Sequence, residues 1–173
     1  MKSDISKITD NNDLLYILTG VIIIDLIVII LARTNHLGKQ INVWYDKFGL
    51  SAVILDVLII VIGFIITRYI FSLNEISFTP FNFIAILVIV QLVHDILLYL
   101  LIINPVPENT NSVIDVYKDY AKEHGSKILF ADSLMMIGSA IIAMNLKDMD
   151  MHYTTTLLVC SIYIIPYLLY AKN

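Results

Sequence analysis

Five apolar runs, each near the length of a membrane span, divide this 173-residue chain: residues 14–32, 48–71, 81–103, 128–146 and 151–171. A hydrocarbon core of about 30 Å is crossed by roughly 20 helical residues, so every run is long enough. Backbone groups in lipid must bond within the protein, and a helix satisfies them within one segment. The expectation is an all-α fold: one transmembrane domain over residues 1–173, a bundle of about five spans. Composition agrees, since 58% hydrophobic and 15% charged residues with a mean hydropathy of +0.82 exceed what a soluble domain needs.

The flanks of the runs carry further expectations. Residues 1–13 are polar and Arg33 directly follows the first run, a pattern of an uncleaved span rather than a signal peptide. Trp44 and Tyr45 before the second run suit the headgroup level, and Arg68 and Tyr69 at its end are expected to snorkel outward. Pro80 precedes the third run, and Asn104-Pro105-Val106-Pro107 stops it. The fourth run is the most polar, with Asp132, Ser133, Gly138, Ser139 and Asn145; its length favours a full span over a re-entrant element. Between the third and fourth runs, Ser112-x-x-Asp115 resembles a capping box, Val113, Val116, Tyr117 and Tyr120 recur at helical spacing, and Gly125 is placed to end the helix. That predicts an amphipathic helix at about 113–124, lying on the membrane surface or packed across the bundle ends. Met135, Met136 and Met144 are expected to fill the core, and His36, His124 and His152 to sit in solvated loops.

Several classes are disfavoured. The net charge is −4 and no basic patch invites nucleic acid. The single cysteine, Cys160, builds neither a disulfide nor a cysteine-based zinc site within one chain. The lipid bilayer is the expected partner, and self-association into a homo-oligomer stays open. Lysine and arginine counts favour the amino terminus outside and the carboxyl terminus cytoplasmic, with seven (Arg33, Lys39, Lys47, Lys118, Lys122, Lys127, Lys172) against four (Lys2, Lys7, Arg68, Lys147).

Four of the five runs hold an aspartate well inside them: Asp25, Asp56, Asp95 with His94 beside it, and Asp132. At the centre of a membrane helix a carboxylate costs roughly 2.5–3.5 kcal/mol, so four of them require a reason. Measured from the face that carries loops 33–47 and 104–127, a rise of 1.5 Å per residue places them at depths of about 12, 12, 13 and 8 Å. Four helices thus bring an acid to one level. On the second run Gly49, Ala52, Asp56 and Gly63 share a small-residue stripe; on the third, Gln91, His94, Asp95 and Tyr99 form a polar ridge; on the fourth, Asp132, Ser139 and Ala143 align. The fifth run offers Cys160, Ser161 and Tyr163 at the matching depth, with Pro166 nearby.

Three roles fit such a layer. The acids, through Asp95–His94 and Asp25–Asp56 hydrogen bonds, could be interhelical glue worth about 0.6 kcal/mol per contact. They could form a proton or cation path, with His94 as a relay. They could hold a divalent metal ion on His94, Asp95, Asp56 and Asp132, a hard donor set suited to Mg, Mn, Fe or Zn, and so found a membrane-embedded enzyme. No His-box, Glu-x-x-His pair or Ser/His or Cys/His nucleophile pairing accompanies them, which leans away from an enzyme.

The stretches WYDKFGLSAVILDVLIIVIGFIITRYIF (44–71), QLVHDILLYLLI (91–102) and YAKEHGSKILFADSLMMIGSA (120–140) resemble a family of small multi-pass membrane proteins of giant, nucleocytoplasmic large DNA viruses. The similarity covers most of the chain from Trp44 onward. It implies a membrane of the virion or of the infected cell, and it carries no catalytic residue onto this sequence.

Overall fold

The structure, a computed structural model, describes residues 3–170. Among them the chain forms seven helices and no strand: α1 Asp13–Arg33, α2 Gln40–Phe48, α3 Leu50–Leu73, α4 Pro80–Leu98, α5 Ser112–His124, α6 Lys127–Lys147 and α7 Met151–Leu169. A π-helical turn, Tyr99–Ile103, extends α4. Five helices are long and apolar enough to cross a membrane, namely α1, α3, α4 with its π turn, α6 and α7. Their outward faces are apolar as well, with Ile62, Leu101 and Val159 exposed, and such a surface fits a bilayer. The polar fourth run is one of the five, at 21 residues. Ala171, the expected end of the fifth, lies outside the described residues, as do Lys2 and Lys172.

Local chemistry sets the boundaries. Thr79 caps α4 by accepting a hydrogen bond from the Asn82 amide at 3.1 Å, and Pro80 supplies the preset first turn. Asn111, rather than Ser112, caps α5: its Oδ1 accepts from the amides of Val113 (2.9 Å) and Ile114 (3.3 Å). Asp115 instead accepts from the Asn109 amide. Gly125 ends α5 as expected, with φ 56°. The second run is divided where no break was expected. Gly49 at φ 53° turns the chain between α2 and α3, so Phe48 closes a separate short helix rather than opening the span.

Packing closes four spans into a ring, α1 on α3, α3 on α4, α4 on α6 and α6 back on α1. The α1–α6 seam is the tightest. A Cβ on Gly20 would come within 2.7 Å of the Ser139 carbonyl oxygen, so the two backbones touch through small residues. Helix α7 packs on the outside of α1. Toward the amino-terminal face the ring is filled by aromatic side chains: Phe83 stands 5.4 Å from Phe71, 6.0 Å from Phe78 and 6.1 Å from Phe64 between ring centroids. Below them Asp13, fully buried, meets Lys147 at 2.5 Å and Arg68 at 3.6 Å. Arg68 also donates to the carbonyls of Lys7 and Asp10, and Lys147 to that of Asp4. The expected snorkelling of Arg68 is thus overturned. At 2% exposure it points inward, because the amino-terminal segment folds over this end and offers it a carboxylate and two carbonyls.

Candidate functional site

The opposite end of the ring is open inside and roofed by α2 and α5, which pack on each other. Beneath them lies a cavity of about 840 Å³. Its wall is mostly aliphatic, from α1, α3, α4 and α6, and its polar groups include Asp56, Gln91, His94, Asp95 and Asp132 from the spans with Tyr117 and Tyr120 from the roof.

Each ring helix therefore carries one of the four aspartates, and α7, outside the ring, carries none. Three of the acids line the cavity; Asp25 is sealed behind its wall, fully buried, with neither carboxylate oxygen hydrogen-bonded among the described residues. Asp56 accepts the indole N–H of Trp44 at 3.0 Å. Asp95 Oδ1 accepts from Gln91 Nε2 at 2.7 Å and stands 3.1 Å from His94 Nδ1, while its buried Oδ2 has no partner among the described residues. Asp132 lines the cavity and, among the described residues, forms no ion pair. Among the described residues, His94 is the one basic side chain paired with any of the four.

The roof tyrosines register how closely the acids gather. Burial, and then the carboxylates of Asp56, Asp132 and Asp95, push the Tyr117 phenol well above its ordinary range. Tyr120 rises to about 12 through burial and then Asp132, Asp56 and Glu123. Tyr45 rises through burial and then Asp25 and Asp56. One layer of phenols thus faces one layer of acids.

Several expectations need correction. Trp44 and Tyr45 are not headgroup anchors: they are 4% and 1% exposed, because the Gly49 turn folds α2 back over α3. Asp25 and Asp56 share no hydrogen bond, since Asp56 is taken by Trp44. Tyr99 lines the cavity without bonding to Asp95, so the polar ridge is three residues rather than four. Ser139 is spent on the Gly20 seam, and Tyr163, 67% exposed, faces outward and bonds to Tyr167 because α7 lies beyond the ring. His124 is no loop residue but the last of α5, packed edge-on against Tyr120 at 4.7 Å and lining the cavity. The donor set considered for a divalent ion, His94, Asp95, Asp56 and Asp132, does not converge: among the described residues no three His, Cys, Asp or Glu side chains stand close enough to share an ion.

The α2 half of the roof was not anticipated, whereas α5 takes up the second of its two expected placements, packed across the bundle ends. Ile41, Trp44, Tyr45 and Phe48 recur at i, i+3, i+4 and i+7, a pattern that identifies α2 once it is not absorbed into the following span. Glu123 of α5 accepts from the amides of Lys39 (3.1 Å) and Gln40 (2.9 Å) and so caps α2 in place of a local side chain. Arg33 binds Asp46 at 2.6 Å and the Leu169 carbonyl at 2.6 Å, tying α2 to the ends of α1 and α7. Neither a family model, nor a curated protein, nor a solved structure matches the chain.

Proposed function

We propose that the protein is a multi-pass integral membrane protein whose ring of aspartates takes up and releases protons or a cation from the face roofed by α2 and α5. One observation carries the reading. Four ring helices each deliver a carboxylate to the same end of the bundle, and the basic partner found for them is a single histidine, half-exposed toward the cavity. Carboxylates serving only to hold helices together would pair with donors across the bundle, as Asp13 does with Lys147 and Arg68 at the other end. Here Asp132 lines open space and, among the described residues, Asp25 has no hydrogen-bond partner. The aromatic fill and the Asp13 network close the far end, so charge taken up from the roofed face reaches the other side only when this end opens in turn, the behaviour of a midway site with alternating access rather than of a continuous pore.

In this reading His94, hydrogen-bonded to Asp95, passes protons between the cavity and the acids. The roofed face is cytoplasmic, in line with its excess of lysine, and the membrane is that of a giant-virus particle or its host cell. The test is flux through purified protein in liposomes across pH. Wild-type protein is expected to pass or exchange protons or a cation, and D56N and D95N, which keep size and shape, to lose that activity while remaining folded. Wild-type liposomes no more permeable than empty ones at every pH overturn the proposal.

A further inference from the structure

We infer that the roofed cavity binds a monocationic amphiphile, its ammonium head in the field of Asp56, Asp95 and Asp132, which line the cavity without meeting at one point, and its alkyl chain lying on the aliphatic wall. The inference rests on the reading that these carboxylates serve positive charge, and it names the chemical class that brings that charge.

Volume argues first. At about 840 Å³ the cavity falls in the range of small-molecule sites, roughly 300–1,000 Å³, and is far larger than a bare ion requires. An inorganic cation would leave most of the aliphatic wall unused. Aromatic rings argue next. Trp44 and Tyr117 stand 4.9 Å apart between centroids and both line the cavity together with Tyr120. Aromatic faces beside carboxylates are how proteins hold alkylammonium groups, through the electrostatic attraction of ring and cation. Tyr45 adds a polar atom without a partner: its side chain is 1% exposed, it lines the cavity, and its hydroxyl bonds to nothing among the described residues. A ligand head or a water it carries would satisfy that group.

Charge selects between head groups. Beside Asp56, Asp95 and Asp132 an anionic head would meet three carboxylates, and a zwitterionic lipid would have to place its phosphate next to them; Lys127, His36, His94 and His124 also line the cavity, and decyl sulfate binding there would mark them as the site instead. The tail also has a way out. Ile96, Leu100 and Leu134 line the cavity and are 47%, 53% and 51% exposed, so a chain following them stays on aliphatic side chains as it leaves the acids.

The experiment uses Trp44, the one tryptophan in the chain, as its reporter. Full-length protein in nanodiscs is titrated with decyltrimethylammonium, decylphosphocholine, decyl sulfate and tetramethylammonium, each below its micelle concentration. Decyltrimethylammonium is expected to give a saturable fluorescence change. Decylphosphocholine should bind about tenfold more weakly or worse, decyl sulfate should give no saturable change, and tetramethylammonium, lacking the tail, should be the weaker of the two cations. D132N removes a carboxylate without breaking any hydrogen bond to Trp44, and is expected to weaken decyltrimethylammonium by about tenfold or more, the scale of one lost ion contact at an effective dielectric constant of about 20, since the quaternary head has no N–H to donate. Equilibrium dialysis of the same ligand checks that the loss is in binding, and circular dichroism that the variant is folded. Equal affinity in wild type and D132N, or tighter binding of decyl sulfate, overturns the inference. Wild-type protein that carries flux in liposomes but binds no decyltrimethylammonium overturns the ligand class alone and leaves the carboxylate site standing; failure of both overturns both.

Discussion

Trp44 and Asp56 meet across the Gly49 turn: the indole of a short roof helix donates at 3.0 Å to a carboxylate six residues past the start of a membrane-spanning one. The bond fixes the angle at which α2 folds over the cavity and satisfies one oxygen of a group that is costly to bury. Trp44→Phe keeps most of the ring area and deletes the donor. A buried acceptor left without its partner costs about 1–3 kcal/mol, so W44F is expected to unfold at correspondingly lower denaturant, followed by circular dichroism in micelles. Unchanged stability would mean that the roof is held by packing alone.

Gly49 is the hinge of the same arrangement. Its φ of 53° is strained for any residue with a Cβ, and a Cβ there would also lie 2.7 Å from the Tyr170 hydroxyl. Gly49→Ala is expected to destabilise by about 1–2 kcal/mol from the left-handed backbone. Pairing it with Tyr170→Phe, which removes the facing oxygen, should restore part of the loss. Thermal unfolding of the single and double variants measures both, and a double variant no more stable than the single one removes the hydroxyl from the account.

Five helices long and apolar enough to span, and an aspartate inside each of four of them, are legible in the chain, because length and position count residues along a helix and need no knowledge of its neighbours. Rotation and partner choice do need that knowledge. Asp25 and Asp56 share one depth, yet one is sealed and the other lines the cavity. Tyr163 has the right depth on a helix outside the ring, and no count along α7 reveals that. Trp44 and Tyr45 fit an interfacial anchor by composition until Gly49 turns α2 inward. Arg68 illustrates the same limit: a cation near a span end snorkels by default, and only the fold of residues 3–12 over this face supplies the groups that draw it in.

Buried charge at the closed end gives a stability prediction with a sign that depends on how it is disturbed. Asp13→Asn takes from Lys147, 2.5 Å away, and from the buried Arg68 the carboxylate they share. Removing one partner of a buried pair costs about 3–5 kcal/mol, chiefly by leaving charge uncompensated. Asp13→Asn with Lys147→Met removes both charges of the closer pair and is expected to be less destabilised than D13N alone. Denaturant titration in micelles decides it; a double variant at least as unstable as D13N would show that Lys147 acts through the Asp4 carbonyl instead.

Glu123 gives the roof a pH dependence whose direction is fixed. Hydrogen bonds from the amides of Lys39 and Gln40 hold its carboxyl below its ordinary value of 4.5. A group whose folded value is depressed binds protons more readily when released, so its contribution is fully present above 4.5 and is lost as pH falls through the lower folded value. The cap on α2 should therefore loosen in mild acid while the ring, whose ordering does not rest on this residue, persists. Amide hydrogen exchange reads this directly: protection at Lys39 and Gln40 is expected to fall as pH drops below 4.5, after correction for the intrinsic exchange rate, ahead of protection in α1 and α6. Glu123→Ala should show the same weak protection already at neutral pH. If the two amides stay protected in the alanine variant, the α2 amino terminus is held by something other than this carboxylate, and the clasp between the roof helices is not the one described.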